Sequence, residues 1–204
     1  MAESVWKRRL KETYDHYAKE RDQVVKDDWK LAERNMFLSR LQRENRAKLL
    51  EIGAGTGRDS MFFEENGLLV TATDLSGEMV LLCREKGLSA EQMDASDLQF
   101  PDGHFDGVWT INCLLHVPKR DLPGVLAEVR RVLKPGGLFY FGVYGGMDFE
   151  GVWEADRYDP KRFFSFHTDA AIQETVRRFF TLESFRTIDY GNEILHFQAM
   201  VLRR

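Results

Sequence analysis

Cysteine is nearly absent. Cys83 and Cys113 are the two in 204 residues. They show no Cys-x-x-Cys spacing and no histidine partner pattern, which excludes a disulfide framework and gives no metal site. A reducing compartment, the cytoplasm, is expected. Long apolar runs are also missing: no stretch approaches the ~20 residues of a spanning helix, and the opening MAESVWKRRLKE has no apolar signal-peptide core, so neither membrane insertion nor export is expected. There is no excess of positive charge. Lys and Arg total 29 against 33 Asp and Glu, a formal net charge of −4, so nucleic-acid binding would need a local basic patch. That favours a small-molecule or protein substrate, and nothing in the composition speaks to oligomeric state. Repeats, low-complexity tracts and Pro/Gly-rich linkers are missing as well. What remains, 43% hydrophobic and 30% charged residues, suits one globular domain over residues 1–204.

Before residue 48 the pattern is helical. Val5, Trp6, Leu10, Tyr14 and Tyr17 make one apolar stripe, and Trp29, Ala32, Met36, Phe37 and Leu41 another, so two amphipathic helices are expected as a lid or flank over 1–45. From Lys48 short apolar runs alternate with helical patterns closed by turn residues, the sign of βαβ units around a parallel sheet. KLLEI, LLVTAT, a weaker LSAEQM, FDGVWTI and LFYFGV read as five strands. Helices fall around Asp59–Asn66, Gly77–Lys86 and Leu122–Leu133, the last stopped by Pro135-Gly136-Gly137. Residues 144–167 are aromatic and charged without period, and read as an ordered substrate-loop insertion. A helix around Thr168–Phe180 follows. LESFRTIDY and EILHFQAMVL, parted by Gly191-Asn192, predict a terminal antiparallel hairpin in 168–204.

The sharpest motif is Glu51-Ile52-Gly53-Ala54-Gly55-Thr56-Gly57, directly after a strand and before a helix. Glycines there let the backbone turn sharply and approach a ligand, while the helix start offers free amides to polar groups. A plain tight turn needs glycines too. Asp74 closes the second strand seventeen residues after Gly57. It can accept two hydrogen bonds from a ribose diol, or cap the helix that starts near Ser76. A nicotinamide-binding loop would place its third glycine three positions after the second, whereas Gly57 comes two after Gly55.

With these residues the chain resembles the class I S-adenosylmethionine-dependent methyltransferases of small-molecule type, over about residues 46–143. The resemblance rests on the ExGxGxG loop at Glu51–Gly57, the strand-terminal Asp74, Asp94-Ala95 in QMDASDL, and LKPGGLFYFGV. It implies an α/β, Rossmann-like doubly wound, mostly parallel seven-stranded sheet with an antiparallel C-terminal hairpin and N-terminal helices, and S-adenosyl-L-methionine as cofactor. It also implies roles. Glu51 arranges the loop, Gly53, Ala54, Gly55 and Gly57 line the methionine half, Asp74 and the adjoining Leu75 meet the ribose, and Asp94 and Ala95 meet the adenine. Asn112, after the fourth strand, and Tyr14, in a Tyr-Asp-x-x-Ala segment of the lid, complete the set, although Arg21 stands near where a second Tyr is usual. Arg58 is open to two readings, a holder of the methionine carboxylate or an exposed helix-start Arg.

Methyl transfer is in-line attack on an activated carbon, so alignment matters most and a general base is optional. His116, just after the fourth strand, is the first candidate base, with cofactor-shell packing its other reading. His167, beside Phe163, Phe164 and Phe166, is the second. His104, in a Pro-Asp-Gly turn, and His196, in a late strand, read as structural. Lys161 to His167 either neutralises and stacks on an anionic planar substrate or packs on the core, and Trp153 and Tyr158 share that ambiguity. Asn112-Cys113-Leu114-Leu115 is not the Asn/Asp-Pro-Pro-aromatic motif of adenine or glutamine amino-methylating enzymes. Cys113 lacks the adjacent Pro of a cytosine-carbon methyltransferase. The expected function is transfer of a methyl group to a small molecule. A tRNA, rRNA or protein acceptor, or a cofactor-binding protein without turnover, is the alternative.

Overall fold

The computed structural model describes residues 5–204; the first four positions of the lid segment lie outside the described residues. Three helices come first: α1 (Val5–His16), α2 (Ala18–Asp22) and α3 (Asp28–Arg43). The stripe read as one leading helix is thus split at Tyr17. Then β1 (Lys48–Ile52), α4 (Arg58–Glu65), β2 (Leu69–Asp74), α5 (Gly77–Glu85), β3 (Ala90–Gln92) and β4 (Phe105–Ile111) follow as the alternation requires. A 3-10 turn at Leu114–His116 leads to α6 (Leu122–Val132) and β5 (Leu133–Gly145). The chain continues through β6 (Phe149–Val152), β7 (Phe163–Phe166), α7 (Asp169–Arg177), β8 (Thr181–Ile188) and β9 (His196–Arg203).

Seven strands form one sheet in the order β3-β2-β1-β4-β5-β9-β8. The first five run parallel, with Leu50 opposite Thr71 on one side and Val108 on the other. The β8–β9 hairpin closes the edge antiparallel to β5. Strand order reverses between β1 and β4, and ligands of open α/β sheets bind outside the carboxyl ends of the strands at such a switch point.

A parallel sheet is buried on both faces, and neighbouring residues here divide between them. Leu50, Val108, Phe139 and Phe141 join Val125, Leu126 and Val129 of α6 and Ile172 and Val176 of α7. Leu49, Trp109, Leu138 and Tyr140 join Phe37 and Leu41 of α3 and Phe63 of α4. Trp109 stacks on Tyr140 at 4.1 Å between ring centroids. In α6 the buried set Leu122, Val125, Leu126, Val129 and Val132 makes a single helical stripe. Pro135-Gly136-Gly137 does follow its end, but within β5: the ladder jumps from Leu133 opposite Phe105 to Leu138 opposite Gly107, making a bulge of the Lys-Pro-Gly-Gly stretch.

The ordered insertion expected over 144–167 contains regular structure that the sequence did not show. Within it β6 and β7 pair antiparallel, Phe149 opposite Phe166 and Val152 opposite Phe163, as a separate two-stranded sheet. Its strands are four residues each, too short to show alternation in the sequence.

Candidate active site

Beyond the carboxyl ends of β1, β2 and β4 lies a cleft of two lobes, about 430 and 120 Å³, that share the walls Tyr14, Gly53, Gly55, Asn112 and His116. The glycine loop forms their common floor. All three loop glycines are left-handed, with φ of 73°, 56° and 81° at Gly53, Gly55 and Gly57, a region that costs other residues about 1–2 kcal/mol. Their surroundings differ. A Cβ at Gly53 would sit 2.3 Å from Cys113 Sγ and one at Gly57 2.4 Å from Leu88 Cδ1, whereas one at Gly55 meets nothing within 4 Å. Gly57 therefore serves the packing of α4 on α5 and lies outside the cleft lining, contrary to the role expected for it.

Asp74 ends β2 as expected. Its Oδ2 accepts from the Gly55 amide (2.8 Å) and its Oδ1 from the Ser76 amide (2.9 Å), so the carboxylate ties the glycine loop to the start of α5. The helix cap itself is Ser76, which accepts from the Met79 amide. A carboxylate has about four acceptor sites, so Asp74 keeps capacity for further donors. Burial raises its pKa. Glu51 is 3% exposed and accepts from Ser60 Oγ. Burial, then the Asp59 carboxylate, push it up to about 8.

The smaller lobe is walled by Asp74, Leu75, Asp94 and Ala95 below and roofed by Trp6, Lys7 and Leu10 of α1. Asp94 already has donors: Lys7 Nζ at 2.5 Å, and the Ser96 amide and hydroxyl at 2.9 and 2.8 Å. Burial would raise its pKa, but Lys7 and Ser96 together hold it below the usual carboxylate value.

The larger lobe brings Tyr14 and His116 together. Tyr14 Oη accepts from Arg162 Nη1 (2.8 Å) and pairs with His116 Nε2 (2.9 Å), while His116 Nδ1 lies 2.7 Å from the Phe163 carbonyl. A carbonyl only accepts, so Nδ1 carries the proton and Nε2 accepts from the phenol. Asp156 grips Arg162 through both oxygens, at 2.8 and 2.7 Å. Burial, then the Arg162 charge, lower the His116 pKa to about 3. A neutral ring with both nitrogens engaged is a poor proton acceptor; its geometry is that of a strut between the lid and β7.

His167 is not brought to the cleft. It is 8% exposed, outside the lining of both lobes, and burial lowers its pKa to about 4. The catalytic role expected for it has no support in its placement. Cys113 packs against Gly53 and burial raises its thiol strongly, which opposes a thiolate nucleophile. His196 pairs with Asp169 Oδ1 at 2.7 Å, a structural contact. Lys161 bonds Glu154 Oε2, whereas Arg162 and Phe164 line the larger lobe. Arg58 lines it too, donating to the Val24 carbonyl. Sequence reasoning did not single out Lys7 or Arg157 as wall residues, because what a surface cation faces depends on tertiary placement.

The cleft fits an adenosyl sulfonium on three observations. Gly55 presents a backbone without side-chain obstruction, Asp74 retains acceptor capacity for a diol, and Asn112, left-handed at φ 54°, holds a buried Oδ1 without a hydrogen-bond partner. Among the described residues no group of three or more His, Cys, Asp or Glu could hold a metal ion, and no helix is long and apolar enough to cross a membrane.

Known proteins share the sequence pattern and the fold. Residues 50–141 match the family described as a methyltransferase domain. A sterol 24-C-methyltransferase of Gibberella zeae is 31% identical over 75% of this chain and 41% of its own, and a fatty-acid O-methyltransferase of Mycolicibacterium smegmatis 30% over 72% and 52%. The chain thus spans about half, or less, of these curated relatives. The fold matches that of the Burkholderia thailandensis 1,6-didemethyltoxoflavin-N1-methyltransferase, solved with 1,6-didemethyltoxoflavin and S-adenosylhomocysteine, with a TM-score of 0.73 at 22% identity over 100% of this chain and 92% of that one. Residues 50–141 are thus identified as a methyltransferase domain, and the chain around them is similar to S-adenosylmethionine-dependent methyltransferases in sequence and fold.

Proposed function

We propose that the protein transfers a methyl group from S-adenosyl-L-methionine to a small-molecule acceptor in the cytoplasm. The observation that carries this reading is Asp74 at the end of β2, bonded to the Gly55 amide and bordering the lobe that also holds Asp94 and Ala95. When bound, the cofactor supplies a methyl group already activated by a sulfonium. The chain's own residues bind and align: Asp74 accepts from the ribose, Leu75 and Ala95 flank the adenosine, Glu51, Gly53, Ala54 and Gly55 surround the amino-acid end, and the Asn112 side-chain oxygen offers that end an acceptor. Asp94 serves the adenine once it shares or releases Lys7. Helices α1 and α2 act as the lid, and Tyr14 and His116 hold it closed and exclude water.

His116 positions the lid in this reading and does not remove the acceptor's proton, so the acceptor reacts through an atom with an available lone pair, and any proton passes to solvent after the methylated product leaves the cleft. Small-molecule acceptors are supported by the relatives, whose names give a sterol and a fatty acid as substrates. A nucleic-acid acceptor is disfavoured by the net charge of −4. The test is S-adenosylhomocysteine release over a panel of candidate acceptors. Acceptor-dependent release that disappears in Asp74→Ala is expected; binding of the cofactor with no release from any acceptor would favour a cofactor-binding protein without turnover.

A further inference from the structure

The outer wall of the larger lobe is cationic beyond what its own acids neutralise. Six cations line it, Arg21, Lys26, Lys30, Arg58, Arg157 and Arg162, against the acids Glu51 and Asp59. Lys26, Lys30 and Arg162 have carboxylate partners in Asp59, Asp27 and Asp156. Among the described residues no carboxylate pairs with Arg21, Arg58 or Arg157 within the 4.0 Å of a salt bridge. Arg58 opens α4 beside the glycine loop, on the cofactor's side. The other two converge on Tyr158, although Arg21 also lines the smaller lobe that holds Asp74: Arg21 Nη1 donates to Tyr158 Oη at 3.0 Å, and Arg157 Nη2 donates to the same oxygen. Their guanidinium carbons lie 5.8 and 4.7 Å from the Tyr158 ring centroid, and that of Arg162 lies 4.5 Å away. Three guanidinium groups therefore surround one phenol with Asp156 as the single paired carboxylate. Two like charges sharing a neutral acceptor repel each other, and an anion placed between them would relieve that repulsion.

The neighbouring surfaces are flat. Tyr14, Tyr158 and Phe164 line the same lobe, and Arg162 lies over all three rings, 5.4, 4.5 and 5.0 Å from their centroids. Planar rings and guanidinium planes favour a planar partner. We infer that the acceptor is a small planar molecule bearing a carboxylate or phosphate, its anionic group held by Arg21 and Arg157 and its ring lying beside Tyr14 and the Arg162 guanidinium, which the buried Tyr158 and Phe164 rings back. This rests on the methyltransferase reading of the same cleft. It also supplies a reason for two unpaired arginines at a site where a sterol-like apolar acceptor would leave them unused.

The test titrates benzoate, phenyl phosphate and neutral benzamide into the wild type and Arg157→Gln by calorimetry, with and without S-adenosylhomocysteine. The wild type should take at least one of the anions about tenfold or more tighter than benzamide, and the tighter anion identifies the group. Arg157→Gln should bring anion and amide to about equal affinity, and Arg157→Lys, which keeps the charge, should restore part of the difference. Equal binding of anions and amide by the wild type, no anion binding, or a preference that survives in Arg157→Gln overturns the inference. A wild type that binds S-adenosylhomocysteine without preferring anions contradicts this inference alone. One that prefers anions but takes no S-adenosylhomocysteine contradicts the methyltransferase reading alone.

Discussion

Gly53 and Gly55 share a left-handed backbone for different ends, and substitution separates them. Gly53→Ala combines φ strain with a Cβ 2.3 Å from Cys113 Sγ, and should destabilise the fold by roughly 2–5 kcal/mol. Gly55→Ala carries the φ strain alone, about 1–2 kcal/mol, and should fold while losing cofactor affinity, since its methyl group points to open space. Thermal melts with S-adenosylhomocysteine titrations check both; equal stability of the two variants would contradict the account. At this scale the sequence was informative wherever a role is set by local chain geometry. Asp74 was legible because a carboxylate at a strand end must face the adjacent loop, and Gly55 because a turn into a helix needs its φ. Gly57 was read as a ligand contact because its spacing carries no record of Leu88 and Cys83 beneath it. Lys7, Arg21 and Arg157 could not be assigned, as a charge on a helix or loop shows its partner only after folding.

The elements divide in the same way. KLLEI and FDGVWTI are strands to the residue, because apolar runs bounded by turn residues can be buried in few other ways. The β6–β7 pair was missed because four-residue strands separated by ten residues have no detectable period. The lid helices were legible as stripes, but their attachment was not. Beside Lys7–Asp94 and the Asp15 carboxylate that accepts from the Ser76 hydroxyl and the Glu78 amide, it uses Tyr14, whose hydroxyl joins Arg162 of the β6–β7 arm to His116 after β4. Tyr14→Phe leaves a buried imidazole nitrogen and one guanidinium N–H without this partner, at a cost of about 1–3 kcal/mol. Amide hydrogen exchange in α1 and α2 should accelerate accordingly, with α6 unchanged; unaltered exchange in α1 would show that the hydroxyl does not hold the lid.

Over the whole molecule, the buried titratable groups oppose one another in pH. His116 and His167 are held neutral, their pKa values lowered by burial to about 3 and about 4 from 6.5, so the stability they permit is full above pH 6.5 and is lost as pH falls toward those values. Glu51 runs the other way. Raised by burial from 4.5 to about 8, it favours the fold when protonated, and that contribution is lost as pH rises through this window. Glu51→Gln cannot ionise, so its melting temperature should gain on the wild type steadily as pH rises from 4.5 to about 8. A gap that stays constant with pH would show that Glu51 is charged throughout.

The switch point between β1 and β4, with Gly55 and Asp74 facing one cleft, underlies every functional statement above. Calorimetric titration of the wild type and Asp74→Ala with S-adenosylhomocysteine, and with NADH as the rival ligand, tests it most directly. The account predicts saturable S-adenosylhomocysteine binding weakened by about 1–3 kcal/mol in the variant, the scale of hydrogen-bonding groups left unpaired, and no heat from NADH. Absence of S-adenosylhomocysteine binding, an affinity unchanged by Asp74→Ala, or saturable NADH binding would contradict it.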